Sequence, residues 1–182
     1  MAASPDPNLV FFDLETQKSF DEVGGRDRFR ELKLSVAVTY STKSGQFREF
    51  READAEALVK ELQSADLVVG FNTKRFDYEV LSAYTKEDLQ KLPSLDMLEE
   101  VHKRLGFRVG LDALASTSLG ERKSADGLQA IRWYRQGEFR KLLDYCRQHV
   151  MVTMDLYQFG RQNRFLLFQD KQGRTRRVDV AW

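Results

Sequence analysis

Leu9-Val10-Phe11-Phe12-Asp13-Leu14-Glu15-Thr16 is the stretch on which the reading of this 182-residue chain turns. Residues 9–14 are apolar and β-prone, and predict a first strand. Residues two apart in a strand face the same side. Asp13 and Glu15 therefore stand side by side at the end of an otherwise apolar strand. Like charges at that spacing raise each other's pKa unless a cation neutralises them, and oxygen pairs of this kind suit hard divalent ions, Mg²⁺ above all. Asp-X-Glu is also a common pair, and the plainer reading is that Asp13 ends the strand and Glu15 is solvated.

Outward from that strand, the polar segment 16–30 contains Gly24-Gly25 and predicts a long loop. Residues 34–40 alternate through Leu34, Val36, Val38 and Tyr40, a strand signal. Lys43-Ser44-Gly45 turns the chain into 46–50, completing a hairpin. Helical spacing follows over 53–63, then a short buried strand at 67–69 closed by Gly70. The second half predicts helices over 75–84, 95–105, 111–118 and 138–160. Residues 165–169 and 174–180 form a closing hairpin through Lys171-Gln172-Gly173. This order predicts an α/β fold, a sheet flanked by helices with a C-terminal β-hairpin. Residues 9–182 read as one domain, and 1–8, with Pro5 and Pro7, as a flexible tail.

With 42% hydrophobic and 31% charged residues, the composition is that of a globular chain and not of a disordered one. The first residues lack the apolar run of a signal peptide, and no stretch approaches membrane-spanning length. Cys146 is the only cysteine, so neither an internal disulfide nor a disulfide-linked partner is expected, and a reducing, cytoplasmic setting is. A net charge of +1 does not decide for or against a polyanionic partner. Three basic clusters bear on it locally: Arg26, Arg28, Arg30 and Lys33; Arg161 and Arg164; Lys171, Arg174, Arg176 and Arg177. Each reads either as phosphate contacts or as ordinary solvated surface.

Two further motifs carry candidate chemistry. In Gly70-Phe71-Asn72-Thr73-Lys74-Arg75-Phe76-Asp77 a buried strand ends and a helix begins. Asn72 is placed to cap that helix, and Asp77 lies in its first turn, where an acid also complements the helix dipole. In Tyr145-Cys146-Arg147-Gln148-His149-Val150, Tyr145 and His149 are four apart on a helix and share a face. Taken alone, His149 also reads as a partly buried histidine bonded to a carbonyl.

The ordered set Asp-X-Glu, Asn-X3-Phe-Asp and Tyr-X3 resembles the three motifs of the DEDD superfamily of 3′–5′ exonucleases, and the tyrosine is that of its DEDDy branch. Residues 123–128 and 145–157 are similar to predicted helicase-associated RNase H-like exonuclease domains, and the resemblance spans residues 9–160. It implies an RNase H-like mixed sheet and two-metal hydrolysis of phosphodiester bonds at single-stranded DNA or RNA ends, with two divalent ions (Mg²⁺ or Mn²⁺). Asp13 would bridge both ions, Glu15 would hold the ion that binds the attacking water, Asp77 would support the second, and Tyr145 would orient the nucleophile. Phe71, Asn72 and Phe76 would lie near the terminal nucleotide, Arg26, Arg28 and Arg30 against the backbone, and a helicase would be the partner.

The departure is His149, where the family pattern has aspartate. In the DEDDh branch a histidine acts as base and precedes the ligand aspartate by five residues. Here the next acid, Asp155, is six residues on, about 600° of helix and roughly 120° off the His149 face. Asp144 likewise faces elsewhere. His149 is therefore read as a substituted fourth ligand, one that suits Mn²⁺ or Zn²⁺ better than Mg²⁺. Three alternatives stand: a weakened exonuclease, a catalytically inactive module that binds nucleic acid or a helicase, and an introduced substitution at 149.

Overall fold

In the computed structural model, which describes residues 6–121 and 127–182, β1 (Leu9–Thr16) is the middle strand of a five-stranded sheet. On one side it pairs antiparallel with β2 (Leu34–Ser41), which pairs antiparallel with β3 (Gln46–Arg51). On the other side it runs parallel to β4 (Leu67–Gly70), which runs parallel to β5 (Ser94–Asp96). The sheet is mixed, in the order β3-β2-β1-β4-β5. The reason β1 sits centrally is its double-sided apolarity. Val10, Phe12 and Leu14 point into one core with α3 (Ala55–Gln63) and α4 (Asp77–Leu81). Phe11 points into the other, with α5 (Met97–Leu105), α6 (Leu111–Ser118), α7 (Gly127–Arg135) and α8 (Phe139–Asn163). The C-terminal hairpin of β6 (Phe165–Gln169) and β7 (Thr175–Asp179) forms its own two-stranded sheet and closes the second core with Leu166, Phe168 and Val178.

Several expectations are corrected. The segment read as a loop over 16–30 carries two short helices, α1 (Phe20–Val23) and α2 (Phe29–Leu32). Ser19 and Glu22 form a capping box at the first, and Phe20 and Phe29 meet edge to face at 5.3 Å; four-residue helices are too short to show periodicity. The helix expected from residue 95 is preceded by β5, and Asp96 caps α5 by accepting the Glu99 N–H at 3.2 Å. The helix expected over 75–84 is confined to Asp77–Leu81, and α7 has no counterpart in the sequence reading. Ordering also starts before residue 9. Asn8 is buried, its N–H donates to Asp66 Oδ2 and its Oδ1 accepts from Ser41 Oγ, both at 2.7 Å. Residues 1–5 of the expected tail and 123–126 of the segment resembling helicase-associated domains lie outside the described residues. Among the described residues no helix is long and apolar enough to cross a membrane.

Two glycines mark close approaches. A Cβ on Gly160 would meet the Trp182 indole at 2.7 Å, which is how the C-terminal tryptophan seats its Nε1–H on the Tyr157 carbonyl at 3.1 Å. A Cβ on Gly70 would lie 1.9 Å from Thr73 Oγ1 and 3.2 Å from the Phe12 carbonyl. Thr73 Oγ1 is itself buried without a hydrogen-bond partner among the described residues. Gly70→Ala is therefore expected to cost about 1–3 kcal/mol through overpacking. Thr73→Ala should be nearly neutral, and the double variant should recover part of the loss. Urea unfolding of the three variants gives the coupling; strict additivity would show that the Gly70–Thr73 contact is not what excludes a side chain at 70.

Candidate metal centre

β1 outruns its parallel neighbour, and this positions the acids. Pairing with β4 covers Leu9, Val10 and Phe11 only, so the Leu14 N–H has no strand partner on that side. Asp77 Oδ1, on the first turn of α4, accepts it at 3.2 Å. That bond brings a residue 63 positions away against the strand that carries Asp13 and Glu15. The turn leading to Asp77 is gripped from below by Asp96. Its Oδ1 accepts the Asn72 N–H at 2.9 Å and its Oδ2 the Lys74 N–H at 3.1 Å. Asn72 takes a left-handed backbone (φ 66°), which asparagine tolerates better than most residues. The expected cap by Asn72 is not made: the residue before α4 is Phe76, no side chain caps the helix, and Asn72 Oδ1 instead accepts from Arg108 at 2.6 Å.

α8 closes the site from the opposite side of the strand. Leu142, Cys146, Val150 and Thr153 are buried along the helix, which carries His149 to β1. His149 Nδ1 lies 3.3 Å from Asp13 Oδ2 and 3.6 Å from Glu15 Oε1. One ligand atom from each of Asp13, Glu15 and His149 lies within 4.8 Å of the others. Tyr145 is buried one turn earlier, its ring 4.3 Å from the His149 ring and edge-on to Trp133 at 5.7 Å. The structure thus gathers Asp13, Glu15, Asp77, Tyr145 and His149 in one place. Sequence reasoning missed three neighbours. Cys146 donates from Sγ to the Asp13 carbonyl at 3.3 Å; Asp96 holds the turn, and its Asp-X-X-Glu capping pattern with Glu99 was a usable signal; Asp112 on α6 adds negative charge, with no local motif to announce it.

Electrostatics explains what the cluster lacks. Burial, then the charges of Asp13 and Asp77, push Glu15 well above the ordinary carboxylate range. Burial, then Asp13 and Asp96, push Asp77 up likewise, against the lowering effect of backbone N–H bonds that include Leu14's. Burial works against charging His149, but its hydrogen bond to Asp13 and the charges of Asp13 and Asp112 outweigh it, and the imidazole titrates above its ordinary value. Burial also raises the Cys146 thiol, with Asp13, Glu15 and Asp77 adding to it, so it stays protonated. Buried carboxylates that raise one another are short of positive charge. Two carboxylates and an imidazole converging there fit a divalent ion, with the nitrogen favouring a transition metal over Mg²⁺.

The remaining residues singled out from sequence lie around this centre. Phe76 packs edge-on to Phe20 and Phe29 at 6.0 Å each and borders a 330 Å³ cavity shared with Glu15, Thr16, Leu128 and Ile131. Phe71 is half-buried against the α8-side core. Arg28 donates to the Val23 carbonyl and to Glu31, and Arg30 donates to the Ser82 hydroxyl and carbonyl. Both therefore secure the α1–α2 segment. Arg26 is exposed.

A mixed sheet with helices on both faces and an acidic cluster at the end of its middle strand defines an RNase H-like fold. The chain belongs to the RNase_H superfamily: that family's model, RNase_H_2, matches residues 10–159. Among solved structures it is similar to the family B DNA polymerase from the hyperthermophilic archaeon Pyrobaculum calidifontis, with a TM-score of 0.63 and 16% identity. The match covers 86% of this chain and 25% of the polymerase, so this chain corresponds to about a quarter of that protein. No curated protein matches.

The charge deficit gives a signed expectation. Glu15 and Asp77 bind protons more tightly folded than unfolded, so without a cation their contribution to stability falls as pH rises from about 4.5 for Glu15 and about 3.8 for Asp77 through their raised folded values. The His149 imidazolium contributes fully below about 6.5, and that contribution is lost as pH rises through its folded value. Both act in the same direction, and a bound divalent ion opposes both. Millimolar Mn²⁺ should therefore raise the thermal midpoint clearly at pH 8 and little at pH 5.5. Equal shifts at the two pH values, or none, would remove the cluster as a metal centre.

Proposed function

We propose that this protein is a metal-dependent 3′–5′ exonuclease that hydrolyses phosphodiester bonds at single-stranded nucleic-acid ends, with residues 9–182 acting as one domain. The observation that carries the reading is the cluster of Asp13, Glu15 and His149 at the end of β1, with Asp77 of α4 held against the same strand, on an RNase H-like sheet whose acids are short of positive charge. Asp13, Glu15 and His149 would hold one ion, and Asp77, beside Asp13, would support a second. Two bound ions supply Lewis-acid stabilisation of the attacking and leaving oxygens in an in-line displacement. The protein's own groups do the rest. Tyr145, fixed between Trp133 and His149, orients the attacking water. Phe76 and the cavity beside Glu15 receive the terminal base on an apolar floor. A cytoplasmic setting is consistent with this activity, and a helicase partner rests on the resemblance alone.

A second reading is favoured by one contact. His149 Nδ1 stands 3.3 Å from Asp13 and 3.6 Å from Glu15, where its imidazolium supplies the positive charge an ion would otherwise bring. A chain that keeps this pair closed binds nucleic acid without cutting it. The two readings separate on end-labelled DNA and RNA oligonucleotides incubated with Mg²⁺, Mn²⁺ or chelator.

The exonuclease reading expects shortening from the 3′ end, abolished by chelator and by Asp13→Asn, and faster in Mn²⁺ than in Mg²⁺. His149→Asp should raise Mg²⁺-dependent hydrolysis by on the order of tenfold or more, since even outer partners of metal ligands commonly carry that much. No cleavage by either protein in either metal would leave the binding module. A parent already fully active in Mg²⁺, with no gain in the variant, would overturn the reading of His149 as a substituted ligand.

A further inference from the structure

Across the turn from the cavity at Phe76 lies a second hollow, of about 260 Å³, whose rim brings together Arg75, His102 and Arg108. These three come from the turn before α4, from α5 and from the loop after it, so they are not neighbours in sequence. All three are exposed. Among the described residues no carboxylate pairs with any of them. Lys74, on the same rim, is committed to Glu99 at 2.8 Å. The acid at the floor, Asp96, is 3% exposed, and its two oxygens already accept the N–H groups of Asn72, Lys74 and Glu99. The hollow is therefore net positive, with its one buried carboxylate turned to the backbone.

We propose that this hollow is a phosphate subsite for a single-stranded nucleic acid, holding a backbone phosphate next to the carboxylate cluster. The proposal rests on the nucleolytic reading given above and adds where the strand lies. Three observations support it. Guanidinium forks match phosphate oxygens in geometry as well as in charge. Arg108 is held before any ligand arrives, by its 2.6 Å bond to Asn72 Oδ1, so little side-chain freedom remains to be lost on binding. The hollow is also smaller than the roughly 300–1,000 Å³ that enclose a whole small ligand, which suits a phosphate group better than a complete nucleotide. Its place follows from the turn: Asn72 lines it, and Phe76, four residues on, borders the apolar cavity beside Glu15. A strand with its terminal base in that cavity thus has positive charge available on the far side of the turn.

The test is fluorescence anisotropy of a labelled single-stranded oligodeoxynucleotide, titrated in chelator so that no cleavage competes, over a range of salt. Arg75→Gln with Arg108→Gln should weaken binding at least about tenfold at low salt. It should also lower the slope of log K against log salt by about 1.4, two single-strand phosphate contacts at ~0.7 each. Arg75→Gln alone disturbs no internal bond among the described residues and should give about half that change in slope, which keeps the test valid should the Arg108 variant unfold. Lys43→Gln with Lys60→Gln, at a separate hollow beside α3, should leave the slope unchanged. An equal loss in that control would mean diffuse attraction and overturn the subsite. Deoxyadenosine monophosphate serves as competitor; if its binding is lost with the arginines as fully as the oligonucleotide's, the site holds free nucleotide and not a strand. A parent matched by its arginine variants, or one that binds no oligonucleotide, sinks the subsite alone; the nucleolytic reading falls separately, on absence of cleavage of the same labelled strand in Mn²⁺.

Discussion

The bond from the Leu14 N–H to Asp77 Oδ1 is the constraint on which the centre depends. It exists because β4 stops pairing with β1 after Phe11, leaving a buried amide that must find an acceptor or carry a desolvation penalty of about 1–3 kcal/mol. The acceptor is a carboxylate, so satisfying the sheet also delivers a negative charge beside Asp13. Everything upstream serves this placement. Gly70 lets the turn fold onto the Phe12 carbonyl, Asn72 supplies the left-handed residue, and Asp96 ties the turn to the start of α5.

That arrangement stores like charge in a buried place. Glu15 and Asp77 are each raised by burial and by neighbouring carboxylates, which is unfavourable unless something positive is near. His149 answers part of this demand by lying against Asp13 and Glu15. A carboxylate at that position would deepen the deficit and draw a hard cation more strongly; an imidazole relieves it by protonation or offers nitrogen to a transition metal. One residue thus shifts the balance between proton and metal without moving the backbone.

The basic residues show how tertiary contacts sort charges of equal formal value. Arg174 and Arg176 both bond Asp170, and Arg177 bonds Asp179 while lying over the Phe165 ring. The densest basic cluster in sequence is therefore partly paired within its own hairpin, four cations against two carboxylates. Arg28 and Arg30 likewise secure the segment that carries them. Arg75 and Arg108 are far apart in sequence and share a hollow only because the loop after α5 returns to the turn after β4, where Arg108 bonds Asn72.

The strand order of motifs, the α/β alternation and the pairing of Asp13 with Glu15 were legible from sequence, because period-two alternation, buried apolar runs and turn residues are local properties. The C-terminal hairpin was legible for the same reason. The two four-residue helices, the three-residue β5 and the true role of Asn72 were not: elements that short have no period, and a backbone in the left-handed region leaves no mark on residue type beyond a preference. Sequence by itself determined which acids were available and that a histidine stands at position 149. Only the tertiary structure decided that Asp77 would reach Leu14, that His149 would face both Asp13 and Glu15, and that Asp96 would turn its charge to the backbone. Each of these depends on where β1 ends relative to β4 and on how α8 lies across β1 and β2, distances set by packing two cores against one sheet.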